Sequence, residues 1–154
     1  LSKVENCKDI TIVTPNDKRM KESLKYLDAD GVKPDSKNIV NDNFDFVLDS
    51  VGLEKTRQQA IKSVKPGGVI IHIGLTQPSG NFDFRKATLQ EITFVGTYCY
   101  TNKDFEKTLK ILNNKEIGSL DWIEYRELKQ GPSAFEDIHK GSCAAPKIIL
   151  TINN

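Results

Sequence analysis

The chain has 154 residues, of which 38% are hydrophobic and 28% are charged, and 22 basic against 21 acidic residues leave a formal net charge of +1. This length supports one domain with a core of its own, and the balanced charge without a basic patch excludes a typical nucleic-acid-binding protein. No apolar run approaches the roughly 20 residues that cross a bilayer, and no charged-then-apolar leader opens the chain. We therefore expect no nucleic-acid partner, no membrane partner and a cytoplasmic location.

The cysteines and histidines argue against a disulfide framework and against a metal site within this chain. Cys7, Cys99 and Cys143 are odd in number and far apart, and His72 and His139 are the two histidines. This spacing is not that of a zinc knuckle. We expect three reduced cysteines, as is usual in a reducing compartment, and we expect His72, inside an apolar run, to be a core histidine with its hydrogen bonds satisfied.

The first third of the chain predicts a strand, a helix and a second short strand. The β-branched run Ile10–Thr14 is stopped by Pro15, and Asn16 or Asp17 can cap a following helix. Apolar residues at helical spacing predict a helix that ends near Asp28. That face consists of Met20, Leu24 and Leu27. A brief strand then runs from Asp30 until Pro34.

Two apolar runs in the middle of the chain predict neighbouring parallel strands. The first covers residues 44–51 and is closed by Gly52, and the second covers residues 69–73 and is closed by Gly74. A helix over residues 54–64, broken by Pro66-Gly67-Gly68, lies between them. Nearly continuous apolar strands are typical of parallel sheets covered on both faces.

The remaining chain continues the alternation of strands and helices. We predict a loop over residues 78–81, strands over 92–98, 122–128 and 147–152, a helix that carries Phe105, Leu109 and Leu112, and a helix that opens at Gly131-Pro132. Strands that alternate with helices through short links indicate an α/β fold with a doubly wound, mostly parallel sheet.

The glycine-rich turn of a dinucleotide-binding fold is missing. Such a fold opens with a strand, a G-x-G-x-x-G turn and a helix N-terminus that receives the pyrophosphate, and this pattern occurs nowhere in the chain. The first identifiable strand would be the second strand of such a fold. Either the chain binds no dinucleotide, or its Rossmann-like domain lacks the first strand.

An ordered series of segments resembles the zinc-type medium-chain alcohol dehydrogenases. It comprises residues 66–75 (PGGVIIHIGL), 88–98 (TLQEITFVGTY), 105–112, 122–124 (WIE), 134–141 (AFEDIHKG) and 146–150 (PKIIL). The resemblance runs across essentially the whole chain in the order of that family. It favours the second explanation, an incomplete Rossmann-like domain.

The resemblance implies a nucleotide-binding fragment of an oxidoreductase. Residues 1–154 would be a partial dinucleotide-binding domain, with residues 120–154 as the C-terminal segment that returns toward an absent catalytic domain. That absent domain would hold the zinc, so the present chain would contribute no catalytic residue and no metal ligand. The intact enzyme would transfer a hydride between NAD or NADP and an alcohol or carbonyl carbon, whereas the isolated chain would be inactive, with weak or absent cofactor binding.

The family's adenosine side would fall at Thr14 and Pro15, at the end of the first identifiable strand. No carboxylate stands there to bind the ribose hydroxyls. With Lys18 and Arg19 nearby, the turn could suit the 2′-phosphate of NADP. Solvated charges in the first turn of a helix are the plainer interpretation, so the choice between NAD and NADP stays open.

The resemblance places the nicotinamide side at the ends of later strands. Ser50 and Val51 follow one strand and would flank both the adenosine and the nicotinamide. Ile73, Gly74 and Leu75 follow the next strand, where glycine permits a close backbone approach to the nicotinamide. The backbone groups of Thr97 and Cys99 match positions that meet the carboxamide. Lys147 matches a cation that reaches the pyrophosphate, with an ordinary exposed lysine as the alternative.

Two further hypotheses concern association and an alternative activity. In the family the strand at Ile92–Tyr98 pairs between subunits, so we expect self-association, either as a homodimer through this edge or by filling the gap left by the missing first strand. The strand ending near Asp49 and the Pro-Gly-Gly turn before the next strand also fit S-adenosylmethionine-dependent methyltransferases. The later segments fit the dehydrogenases better.

Overall fold

A computed structural model describes residues 5–152, which form two compact units. The first unit contains the residues up to Ser36 and those from Asn102 onward, and the second contains Lys37–Thr101. In chain order the elements are β1 (Ile10–Val13), α1 (Asp17–Ser23), β2 (Ala29–Val32), β3 (Phe44–Asp49), α2 (Glu54–Ser63), β4 (Val64–His72), α3 (Phe84–Leu89), β5 (Thr93–Gly96), α4 (Asn102–Asn113), β6 (Ile123–Glu127), a 3₁₀ turn (Leu128–Gln130), α5 (Gly131–Lys140) and β7 (Lys147–Thr151).

All strand pairs among the described residues are parallel, which confirms the predicted α/β class. The strands form three sheets, with the orders β1-β2, β3-β4-β5 and β6-β7. In the central sheet Val47 lies beside Ile70, and Ile70 lies beside Phe94. Parallel strands direct their carboxyl ends to one rim of a sheet, so β3, β4 and β5 end together.

The core of the second unit lies between one face of its sheet and the helices that follow the strands. Its buried centre consists of Ala60, Ile61, Val64 and Ile70. Val47 from β3, Phe82, Ala87 from α3 and Ile92 pack against this cluster. The contacts of α2 and α3 with Ile70 and Val47 therefore fix which face of the sheet is covered within this unit.

The expectation that β3 is covered on both faces is wrong for this unit. Side chains alternate between the two faces of a strand, and Phe46 and Leu48, beside the core-facing Val47, are 45% and 47% exposed. Val95 of β5, in register with Leu48 across β4, is 40% exposed. The unit's helices pack on the opposite face, which leaves these apolar side chains in contact with solvent.

The predicted helix break at Pro66-Gly67-Gly68 lies instead inside β4. The pairing of β3 with β4 shifts between Phe44 and Phe46, opposite this segment. Proline and glycine are tolerated in a strand where the ladder is interrupted, so β4 begins at Val64 and not at Val69.

The helices differ from the prediction in one boundary and in one additional helix. Helix α1 ends at Ser23, because the amides of Lys25 and Tyr26 donate back three residues, to Glu22 and Ser23, and tighten the chain before β2. Helix α3 was not predicted. Its start is marked by Asp83, whose carboxylate accepts a hydrogen bond from the amide of Lys86 at 2.8 Å, as an N-cap residue does.

The first unit contains the two remaining strand pairs. Gly31 of β2 leaves room for Met20 of α1, since a Cβ added to this glycine would lie 2.8 Å from a side-chain carbon of Met20. Arg126 of β6 joins Glu124 to Asp137 of α5, at 2.6 and 2.8 Å. Over the described part of the chain, no helix has the length and apolar character needed to cross a membrane.

Candidate functional site

The carboxyl ends of β3 and β4 meet, and the two turns that follow them lie side by side. The carbonyl of Asp49 accepts hydrogen bonds from the amides of Ile73 and Gly74, at 3.0 and 3.2 Å. The amide of Thr76 donates to the carbonyl of Val51 at 3.3 Å. The turn at 50–52 (the β3 turn) and the turn at 73–76 (the β4 turn) therefore occupy the same rim of the sheet.

Gly52 and Gly74 bring the two turns into backbone contact. Gly52 has a φ of +75°, a conformation that glycine adopts without steric cost. A Cβ added to either glycine would lie within 3.0 Å of the other's backbone. The absence of a side chain at Gly74 is thus explained by the approach of the β3 turn itself.

The buried carboxylate of Asp49 organises the β3 turn. One oxygen accepts hydrogen bonds from the amides of Val51 and Gly52, at 3.0 and 2.9 Å. The other accepts one from the hydroxyl of Thr56 at 3.0 Å and lies 3.1 Å from Nδ1 of His72. Burial opposes ionisation of this carboxylate, but the hydrogen bonds from Gly52, Val51 and Thr56 outweigh it and lower the pKa of Asp49 below its ordinary value.

The guanidinium of Arg57 links the β3 turn to the loop that follows β4. It donates to the carbonyls of Gly52 at 2.9 Å, Gln77 at 3.3 Å and Ser79 at 2.5 Å. The side chain of Gln77 accepts a hydrogen bond from the amide of Glu54 at 2.7 Å. This contact satisfies one donor of the first turn of α2, so the loop and the helix hold each other.

Three apolar side chains are exposed at this rim. Val51 is 43% exposed, Ile73 is 42% exposed and Leu75 is 73% exposed. Ser50 beside them is also exposed. The ends of β3 and β4 thus carry exposed apolar side chains at the carboxyl rim of the sheet.

The predicted residues after β5 lie beyond the end of that strand in the same unit. The amide of Thr97 donates to the carbonyl of His72 at 3.0 Å and so continues the pairing of β5 with β4. Cys99 has a φ of +55°, which is uncommon for a residue with a side chain, and it is exposed. His72 itself contacts the ring of Phe94, with 5.6 Å between the centroids.

The predicted adenosine-side residues lie in the first unit, at the end of β1. The amide of Thr14 donates to the carbonyl of Val32 at 3.2 Å, and the carbonyl of Pro15 accepts from Nζ of Lys33 at 2.9 Å. Lys33 was not predicted as a site residue, and it pairs with Asp17. The guanidinium of Arg19 donates to the carbonyl of Ile138 at 3.5 Å.

Lys147 is the first residue of β7 and is exposed. In the parallel pair with β6 it lies beside Ile123. It belongs to the same unit as Thr14, Pro15 and Arg19, whereas the other predicted residues belong to the second unit.

A metal site does not fit the described residues. Within residues 5–152 no group of three or more His, Cys, Asp and Glu side chains could hold a metal ion. Cys143, the buried cysteine, lies 3.3 Å from a carboxylate oxygen of Glu124. Burial raises the pKa of the Cys143 thiol, and the nearby carboxylate raises it further. A protonated thiol is a poor metal ligand.

Comparison with known proteins assigns the chain to a family. A family model described as zinc-binding dehydrogenase matches residues 1–114. The chain belongs to the zinc-binding dehydrogenase family. Over 93% of its length it is 30% identical to a probable diacetyl reductase ((R)-acetoin forming) of Saccharomyces cerevisiae, of which it covers 34%. This confirms the family resemblance read from the sequence, and the chain spans about a third of that relative's length.

Solved structures of an alcohol dehydrogenase and of a reductase share the fold of this chain. An alcohol dehydrogenase from Thermus sp. ATN1 superimposes with a TM-score of 0.84 at 18% identity, with 96% of this chain and 45% of that one covered. Acetophenone reductase from Geotrichum candidum, in complex with NAD, gives a TM-score of 0.76 at 20% identity over 90% of this chain and 40% of the other. At these identities the likeness establishes the Rossmann-like fold.

Sequence reasoning missed the side chains that hold the turns together. The sequence pattern assigns Asp49 no role in the β3 turn and does not single out Arg57. The order Asp49-Ser-Val-Gly52 at a strand end carries a signal, because an aspartate commonly accepts hydrogen bonds from amides two and three residues further on. No local signal points to Arg57, since its acceptors lie up to 22 residues away.

Proposed function

We propose that the chain is the nucleotide-binding part of a zinc-type alcohol dehydrogenase-like oxidoreductase. In the intact enzyme a hydride would pass between NAD or NADP and an alcohol or carbonyl carbon, whereas the isolated chain would be inactive. The observation that carries the proposal is the meeting of the β3 and β4 turns at one rim of a parallel sheet, the place where such sheets bind nucleotides. The family membership and the NAD complex of a related fold support it.

The residues of the second unit would bind and orient the nicotinamide. Val51, Ile73 and Leu75 present apolar side chains at the rim that would pack against the ring and exclude water from it. The carbonyl of Thr97 and the backbone of Cys99 would meet the carboxamide. The cofactor supplies the hydride chemistry, and the protein supplies the position of the ring.

The family resemblance assigns the candidate residues of the first unit to the adenosine and pyrophosphate groups. Thr14 and Pro15 follow β1 and would lie beside the adenosine ribose, with Arg19 as a nearby cation. Lys147, exposed at the start of β7, would approach the pyrophosphate. Lys33 contacts Pro15 but is paired with Asp17, so the local positive charge is partly neutralised and the turn fits NAD as well as NADP.

The zinc of the family would be bound by the catalytic domain of the intact enzyme and not by residues of this chain. The described residues offer no metal-binding group, so we assign no catalytic step to a metal here. Residues 120–154 would then be the segment that returns toward the catalytic domain. Three free cysteines fit a reducing, cytoplasmic compartment.

The edge of β5 would form a homodimer. Strand β5 pairs with β4 on one side, all its residues are exposed, and its edge belongs to the predicted dimer segment Ile92–Tyr98. Edge-to-edge pairing between two copies would satisfy the open backbone groups of this strand.

Protection of Cys99 from alkylation tests the proposed cofactor site. Cys99 and Cys7 are both exposed, so each should react with iodoacetamide, and mass spectrometry can follow the two rates in one sample. We expect millimolar NADH to slow alkylation at Cys99 and to leave Cys7 unchanged. No turnover of alcohols with either cofactor should accompany this binding.

Other outcomes of the alkylation experiment would contradict the proposal. Protection of Cys99 by S-adenosylmethionine, without protection by NADH, would favour a methyltransferase-like function. If Cys99 is alkylated at the same rate with and without either compound, Cys99 does not belong to the cofactor site. Steady-state oxidation of an alcohol by the isolated chain would overturn the proposed inactivity.

A further inference from the structure

We infer that Asp49 and Arg57 are positioning residues that clamp Gly52 between them and thereby set the spacing of the β3 and β4 turns. Asp49 ends β3 and Arg57 lies on α2, so the two side chains approach Gly52 from different elements. The inference deepens the proposed function, because these turns are the ones that we assign to the nicotinamide.

Both peptide groups of Gly52 are held by the clamp. Its N–H donates to the carboxylate of Asp49 at 2.9 Å, and its carbonyl accepts from the guanidinium of Arg57 at 2.9 Å. The same carbonyl accepts a second hydrogen bond, from the amide of Gln77 at 3.0 Å. Hydrogen bonds to charged groups are stronger than those between neutral groups, so Asp49 and Arg57 supply the firmer contacts.

The contact between the glycines transmits the position of Gly52 to the β4 turn. Neither glycine has space for a Cβ toward the other, so the two backbones already touch. Interiors packed this closely pass on small displacements. A shift of Gly52 must therefore move Gly74, and with it the exposed Ile73 and Leu75.

Arg57, one of the two clamp residues, lies on a helix that is packed into the core of the unit. Helix α2 is anchored by Ala60 and Ile61, which are 3% and 2% exposed within the core. Arg57 precedes Ala60 by about one helical turn, and its guanidinium donates to the carbonyls of Gly52 and Ser79. Neither contact belongs to the strand pairing of β3 with β4, so loss of the clamp should loosen the turns and leave the sheet intact.

Amide exchange measured by NMR tests the clamp without any cofactor. In Arg57→Gln we expect the amides of Gly52, Gly74 and Thr76 to exchange about tenfold faster, the effect of losing one hydrogen bond to a charged group. Arg57→Lys should rescue little, because the single ammonium nitrogen cannot span the carbonyls of Gly52 and Ser79 as the two terminal nitrogens of the guanidinium do. Lys55→Gln, which removes a charge from an exposed position on the same helix, should leave these rates unchanged.

Two comparisons separate positioning from general stability and from the proposed function. Ile61→Val loosens the core, and it should speed exchange across the sheet, whereas Arg57→Gln should act on the turns alone. NADH added to the unmodified chain should shift the resonances of Val51, Ile73 and Leu75, and it should shift them less in Arg57→Gln.

Different results would contradict the clamp and the proposed function. Equal exchange rates in Arg57→Gln and Lys55→Gln would overturn the clamp, whatever NADH does. Acceleration spread over the whole sheet in Arg57→Gln would also overturn it, since Arg57 would then act only on stability. If the clamp behaves as expected but millimolar NADH, which would reveal even weak binding, shifts none of these resonances, the assignment of these turns to the nicotinamide fails and the clamp stands.

Discussion

At the scale of single residues, the contact between the two turns at the rim of the second unit depends on the absence of side chains at two glycines. Gly52 and Gly74 let the two turns touch, and Asp49 and Arg57 fix one of those turns from both sides. The adjacency of the turns could be predicted from the sequence, because strands that end in small residues and pair in parallel must end together. The side chains that hold the turns could not, since Arg57 reaches carbonyls far along the chain.

Replacing Gly74 with alanine should destabilise the chain by about 3 kcal/mol, the upper range of the cost of overpacking a tight contact. The added methyl would fall within 3.0 Å of the backbone at Val51 and Gly52, and backbone cannot yield as the tip of a side chain can. Urea denaturation followed by circular dichroism would measure the free energy of unfolding.

Gly96→Ala is the matched control for this substitution. Gly96 ends β5, and no heavy atom lies within 4 Å of a Cβ built there. We expect its free energy of unfolding to change by less than about 0.5 kcal/mol, as for an ordinary surface substitution. Equal losses in the two variants would mean that the turns are not in contact.

At the scale of elements, the sequence predicts the positions of the strands more accurately than those of the helices. Runs of β-branched and aromatic residues located β1, β3, β5 and β7 within a few residues, because their apolar side chains and strand length leave few alternatives. Helix α3 has six residues, too few for a periodic pattern. The start of β4 was misplaced because Pro66 and Gly67 usually end elements, whereas here they occupy an irregular part of the ladder.

The exposed strand β5 leads to a prediction about association. We expect Val95→Lys to shift the proposed homodimer to monomer, since a lysine on an edge strand opposes edge-to-edge pairing. Light scattering over a concentration series would give the masses. Leu89→Lys on α3, at a side chain that is 69% exposed, makes a comparable apolar-to-lysine change outside the Ile92–Tyr98 segment and should leave the dimer intact. A monomer for the unmodified chain at high concentration would refute the dimer.

At the scale of the whole molecule, carboxylates in both units have pKa values below their ordinary range. Hydrogen bonds outweigh burial at Asp49, the guanidinium of Arg126 lowers the pKa of Glu124, and Arg126 together with Ser142 lowers that of Asp137. A carboxyl whose pKa is lower in the folded chain stabilises the fold above its unfolded pKa, about 4. That contribution is lost as the pH falls through the folded pKa.

Stability should therefore hold near neutral pH and decline in acid, below about pH 4. The free energy of unfolding, measured in urea at several pH values, would show the decline. Asp49→Asn keeps an oxygen that can accept from the turn amides but cannot titrate, so its acid loss should be smaller than that of the unmodified chain. A constant stability from pH 7 to acid would contradict the lowered pKa values.

The division of the chain into two units also bears on the order in which structure forms. The second unit is one continuous stretch, Lys37–Thr101, whereas the first joins the two flanks of that stretch. To place the amide of Asn16 on the carbonyl of Gly141, the polypeptide must close a loop of 125 residues, and the entropy lost in such a closure grows with loop length. Folding should accordingly start in the middle of the sequence, where contacts are local. The contacts between the two ends of the chain should form last.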